Sequence, residues 1–257
     1  LFVILGSYSG YTTARLAKMF KMKSWKIITV VGLFFPGTMF VMYIALNFVH
    51  WGSHASSATP FTTMLTMMAL WFCVSLPLVF LGGAIGYRRD AIEMPRKVNS
   101  IARSIPPQPW YMNYPQSVLV PGILPFGAAF IESVFILSSI WQGRVYYVFG
   151  ILGLVFLILI VTCAEATIVM IYFQLLNLDY RWWWRSFFTS ASYGFWLFMY
   201  SILYYCTALS IRSWWSSVLY FGYMLMASYF CAVMTGTIGF MAAFVFVRKI
   251  YGSTKVD

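Results

Sequence analysis

Two carboxylates stand where a carboxylate is costly. Glu132 and Glu165 fall inside apolar runs, and a bare charge at the centre of a bilayer costs about 2.5–3.5 kcal/mol on insertion scales. If they face one polar cavity from neighbouring helices, the pair could move protons or cations. Protonated, they could instead bond to Ser133, Ser138, Thr162 or Thr167, and the sequence leaves both readings open. His50 and His54 lie four apart, the spacing at which one helical turn offers two imidazoles to a metal. Gly52 and Ser53 interrupt that turn and no third ligand follows, so no metal or cofactor is expected. Met64, Met67 and Met68 share a helical face and could offer thioethers to a soft cation, but in a chain with 15 methionines a packing stripe is the simpler expectation. With two histidines in one loop and no acid beside them, a nucleophile–base–acid arrangement has nothing to build on. Neither a GxxxxGK[ST] loop nor a GxGxxG turn is present. The chain is therefore not expected to be an enzyme.

The elements that would hold these residues are membrane spans. The sequence is 61% hydrophobic and 9% charged, far from the ~25% charge of a soluble domain. Apolar runs at 1–17, 26–49, 61–86, 118–140, 145–175, 187–209 and 215–247 each approach or exceed the ~20 residues that cross the hydrocarbon. The expected fold is an all-α polytopic helix bundle of about seven spans in a single membrane domain, 1–257. Fifteen of the seventeen Lys and Arg fall in four clusters on alternate connections, around residues 15–26, 88–103, 181–185 and 248–255. By the positive-inside rule those connections, the loop 87–117 and the tail 248–257 are cytosolic. A net charge of +11 then speaks of anionic lipid headgroups rather than nucleic acid.

Within the loop 87–117, Val98, Ile101, Ala102 and Ile105 recur at helical spacing between Lys97 and Arg103, as in a helix lying on the membrane surface. The run Pro106–Pro115 that follows has too many prolines for a helix and should form an extended strap, held under the bundle by Trp110 and Tyr111. Arg181, Trp182, Trp183, Trp184 and Arg185 read as an interfacial anchor. Gly6 with Gly10 and Gly82 with Gly86 have the spacing that lets helices approach closely. They serve either packing inside the bundle or a groove for another protein's helix. Cys73, Cys163, Cys206 and Cys231 lie singly inside spans and read as small packing residues.

Several long strings resemble the nonaspanins, the transmembrane nine superfamily: Pro106–Tyr111, Gly122–Gly127 with Phe130–Ser133, Thr162–Glu165, Tyr180–Phe187 and Phe246–Tyr251. The resemblance covers nearly the whole chain. It implies nine spans, of which this chain holds the last seven, and a lumenal domain upstream of Leu1, which is not a Met. It also implies residence in Golgi and endosomal membranes, sorting or surface delivery of transmembrane cargo proteins, and a link to cell adhesion. Lys255-Val256-Asp257 is similar to the family's C-terminal signal for coat protein complex I. The expectation is thus a nonenzymatic sorting protein whose partners are lipids, cargo and that coat. The alternatives are a proton- or ion-coupled transporter using Glu132 and Glu165, and a lipid-binding or lipid-moving protein.

Overall fold

The computed structural model describes residues 2–22, 24–53, 58–90, 92, 104–131, 145–207, 209 and 213–253. The surface helix expected within 97–105 lies almost wholly outside them. Among the described residues the regular structure is helical: α1 (Phe2–Met19), α2 (Trp25–Gly52), α3 (Phe61–Leu70), α4 (Leu76–Arg88), α5 (Gln116–Ile131), α6 (Val145–Leu176), α7 (Trp182–Thr207) and α8 (Trp214–Ser253). The chain is an all-α polytopic membrane protein. Among the described residues, four stretches are long and apolar enough to cross a bilayer: Trp25–Gly52, Phe61–Arg88, Leu152–Leu176 and Trp214–Ser253. At ~1.5 Å per residue, the 26 residues of α7 would span it too. That helix is less apolar because its buried side is built from hydroxyls.

Contacts divide the chain into two compact units, one of Leu1–Pro95 with Arg212–Tyr223 and one of Arg96–Ile211 with Met224–Asp257. In the first, α1 and α4 run side by side in the same direction. A β-carbon built on Gly10 would collide with the Val79 carbonyl, and one on Gly82 with the Ser7 carbonyl. One on Gly86 would lie 2.7 Å from the Tyr11 carbonyl oxygen and 2.8 Å from the Ala14 methyl. Backbone touches backbone here, which is how helices gain dispersion energy in a lipid that offers no hydrophobic drive. At one end of the pair Lys18 Nζ donates to the carbonyls of Tyr87 (3.3 Å) and Arg89 (2.5 Å), so the first two cationic clusters meet.

Two prolines shape the rest of this unit. Pro36 lies inside α2, has no N–H, and so deprives the Gly32 carbonyl of its helical donor. Trp71 supplies one instead, its indole N–H reaching Gly32 O at 3.4 Å. Pro77 stands at the start of α4, and directly before that helix Trp71–Ser75 forms a π-helical turn, with Leu76 N–H donating to Trp71 O. The wider turn relieves the clash a proline ring makes with the carbonyl four residues back. At the far end of α2, buried Asn47 accepts from Thr59 N–H (2.9 Å) and donates to Thr59 O and Met64 Sδ (both 3.1 Å). Tyr43 and Trp51 also bond to Thr59. Met64 is therefore a buried packing residue, while Met67 and Met68 are exposed.

The second unit packs α6 and α7 with the later part of α8. Cys163, Thr167, Ile171 and Gln174 form the buried side of α6, at the three- and four-residue spacing of one helical face. Opposite them stand Ser186, Thr189 and Ser190 of α7, all buried. Thr167 and Ser186 bond to carbonyls one turn back, Cys163 O (2.7 Å) and Trp183 O (2.8 Å), as nearby Ser192 does to Thr189 O (2.7 Å). In that state they act as small, satisfied packing groups. Gly194 lies against Ser228 and Ala232 of α8, and Gly239 against Ser190 and Thr167.

Both units end a helix alike at their cationic end. Lys21 and Leu178 have positive φ (57° and 59°). Met22 N–H donates to Ala17 O and Lys21 N–H to Lys18 O, while Asp179 N–H donates to Gln174 O and Leu178 N–H to Leu175 O. Each is a Schellman motif with a side chain in the left-handed position that usually holds glycine.

Candidate functional site

In the second unit, three segments converge where α6 ends and α7 begins. The prolines of 106–109 forbid a helix, and the strap is tied down by Gln108, whose amide donates to Asn177 O at 3.1 Å. A 3-10 turn at Trp110–Met112 then leads into α5. Met112, not Trp110 or Tyr111, is the residue that holds it. Met112 is fully buried, whereas Trp110 is 74% exposed and Tyr111 is exposed as well. The expectation that the two aromatics pack the strap is corrected. An amphipathic ring at a membrane interface gains by standing in the headgroup layer, and the slim thioether fits the interior. Past the strap, α5 docks on α7 through Trp196 Nε1 to Leu119 O (2.9 Å) and Thr189 Oγ1 to Ser117 O (3.4 Å). Gly122 lies against Ser192, where no β-carbon fits.

The charged part of the site is Asp179, Arg181 and Arg185. Asp179 Oδ1 accepts from the backbone N–H of Arg181 (3.0 Å) and lies 3.6 Å from its Nε. Arg185 Nη2 is 3.9 Å from Asp179 Oδ2, and Tyr114 covers its guanidinium at 4.8 Å. Arg185 is only 5% exposed, and its Nε and Nη1 have no partner. The carboxylate and the aromatic ring draw it inward. Among its neighbours in sequence, Trp182 stacks on Phe240 (5.8 Å) and Trp184, exposed, stacks on Phe188 (5.8 Å). Arg181 and Trp183 are exposed.

Other buried polar atoms of this unit also lack partners: both amide atoms of Gln174 and the hydroxyls of Ser117 and Ser228. Ser117 is among the residues lining a cleft of about 620 Å³, otherwise walled mainly by apolar side chains from the strap, α5 and the last turns of α6.

The remaining expected site residues fall elsewhere. Glu165 lies on the exposed side of α6, apart from the buried line of Cys163, Thr167, Ile171 and Gln174. Glu132, His54, Lys255 and Asp257 lie outside the described residues. His50 Nε2 and Tyr223 Oη share a hydrogen bond of 2.9 Å. Among the described residues no three His, Cys, Asp or Glu gather as a metal site would require. Of the glycines, Gly10, Gly82 and Gly86 face backbone across α1 and α4, and Gly6 faces Leu78 at 3.4 Å. The space over Gly10, Gly82 and Gly86 is filled from within the chain. Cys163 is buried and Cys231 half-buried, but Cys73 and Cys206 are exposed.

Sequence reasoning overlooked Asp179, Gln174, Ser117 and Met112. Asp179 had a signal: it is an acid two residues from one arginine and six from another, in an otherwise cationic turn. Gln174 had a weaker one, an amide seven residues after Thr167 on the same helical face.

The profile of endomembrane protein 70 matches residues 1–214. The chain is 52% identical to transmembrane 9 superfamily member 10 of Arabidopsis thaliana and 45% identical to member 4 of Homo sapiens, in both cases over its whole length. It is 45% identical to member 2 of Mus musculus, again over its whole length. It spans about 40% of the length of these relatives. No solved structure matches it significantly.

Proposed function

Since the chain belongs to the endomembrane protein 70 family, that of the transmembrane 9 superfamily members, and is a multi-pass endomembrane protein, we propose that it assists the sorting and surface delivery of transmembrane cargo, without catalysis. The observation that supports this reading is the gathering of cations in each unit taken by itself. In the first, Lys18 meets the backbone of Arg89 at the ends of α1 and α4. In the second, exposed Arg181 stands with the strap and the end of α6. Soluble machinery on one side of a membrane can read a protein whose charged segments sit at helix ends, and lipid-facing helices can meet cargo helices at the same time. The protein resides in Golgi and endosomal membranes in this reading, and Lys255 with Asp257 forms the tail signal for coat protein complex I.

Replacing Lys255 by Ala in the full-length protein tests the address. Imaging should show it leaving the Golgi, and an unchanged distribution removes the signal from the account. Depleting the protein should lower the surface level of its transmembrane clients but not of soluble secreted proteins. An equal fall in both would mean a general defect of the pathway, and the sorting reading would fail.

A further inference from the structure

We propose that the cleft beside the strap is a phospholipid site that takes one acyl chain between α5 and α6 and holds its ester carbonyl at Ser117. This inference stands apart from the sorting reading. Three observations carry it.

The walls are the first. Met112, Val120, Pro121, Met170 and Phe173 line the cleft with carbon, and its volume of about 620 Å³ falls in the ~300–1,000 Å³ range of sites that enclose a small molecule. The depth is the second. The strap is bonded to Asn177 at the end of α6, where Asp179 and Arg181 follow, so the mouth stands at headgroup level with the exposed rings of Trp110 and Tyr111. Met170 lies seven residues before Asn177, about 10 Å deeper along the axis at ~1.5 Å per residue. The cleft therefore descends from the interface into the hydrocarbon, along the path an acyl chain takes.

The third observation is Ser117. It is 1% exposed, lines the cleft, and its hydroxyl has no partner. A buried hydroxyl without a partner costs free energy, and a lipid tail alone would not relieve that. An ester carbonyl can, because it accepts one hydrogen bond and sits at the junction of headgroup and chain. Gln116 beside it and exposed Arg181 at the same end suit the polar glycerol and phosphate that would remain outside.

The test uses the full-length protein in phosphatidylcholine nanodiscs with a trace of phosphatidylcholine carrying a diazirine in one acyl chain. After irradiation, labelled peptides should concentrate on Val120, Met170 and Phe173 rather than on Leu154, which is exposed on the same helix outside the cleft. Val120 is exposed, so Val120→Trp can fill the cleft without disturbing a core; it should lower labelling there about tenfold, the effect of about 1.4 kcal/mol. Labelling at Leu154 should stay unchanged. Ser117→Ala should lower labelling about fivefold, the worth of one neutral hydrogen bond. Equal labelling of the cleft and Leu154 in the wild type would reduce the cleft to ordinary bilayer contact. A sterol diazirine that labels the cleft where the phospholipid does not would assign it to another lipid class. Either result overturns the proposal, as does labelling that neither variant changes.

Discussion

Across α1 and α4 of the first unit, helices meet through what their residues lack: Gly10, Gly82 and Gly86 let carbonyls and α-carbons touch, and a single methyl would collide. Across α6 and α7 of the second, helices meet through what their residues carry, a layer of Thr167, Gln174, Ser186, Thr189 and Ser190. Both solve one problem. Lipid tails are as apolar as leucine, so burying apolar side chains gives helices little reason to associate. The glycine solution fills the contact with backbone, and among its described residues the first unit keeps one buried side-chain atom without a partner, Arg15 Nε. The hydroxyl solution leaves Gln174, Arg185 and Ser117 with unpaired atoms, and a site can be built only where bonding capacity remains. Chemistry should therefore be sought in the second unit, and tolerance of change should differ between the two.

Substitutions in the full-length protein, followed by thermal unfolding in detergent, can break or sharpen that contrast. Gly82→Val should have the largest effect, a loss of about 3 kcal/mol or more, because the atom in its way is the Ser7 backbone rather than a side chain that can move. A mild loss would mean that the helices can slide apart and that the contact is not saturated. Asp179→Asn should cost about 3 kcal/mol, since it leaves buried Arg185 without its counter-charge. Gln174→Leu should go the other way, neutral or stabilising by about 1 kcal/mol, because it removes two unpaired buried atoms. Marked destabilisation there would show that the amide has a partner such as ordered water. Leu178→Gly should be the smallest, stabilising by a few tenths of a kcal/mol up to about 1 through release of the left-handed strain.

The all-α membrane-spanning fold was legible because hydrocarbon thickness imposes a length and a composition that no other environment demands. The glycine pairs stood out because small residues four apart let helices approach closely. Which helix meets them was not, since any span could have presented the complement. Trp110 and Met112 show why the site was harder to read. Size and aromaticity argue for the interior in a soluble protein, but at an interface they argue for the headgroup layer. Inward-turning Arg185 was hidden for a similar reason. Its partner is a single acid six residues earlier, and only the turn after α6 brings the two together. The two Schellman ends carry no glycine, so their local signal is missing altogether.

The indole of Trp71 bound to the Gly32 carbonyl ties two distant positions into one unit of inheritance. Pro36 creates the need and Trp71 meets it, so neither substitution has a fixed effect of its own. With Pro36 in place, Trp71→Phe strands a carbonyl in hydrocarbon. After Pro36→Ala, which restores the helical donor, the same change should be nearly silent, and a double-mutant cycle should find the two coupled. Sequences that drift at one of these positions are thereby freed to drift at the other.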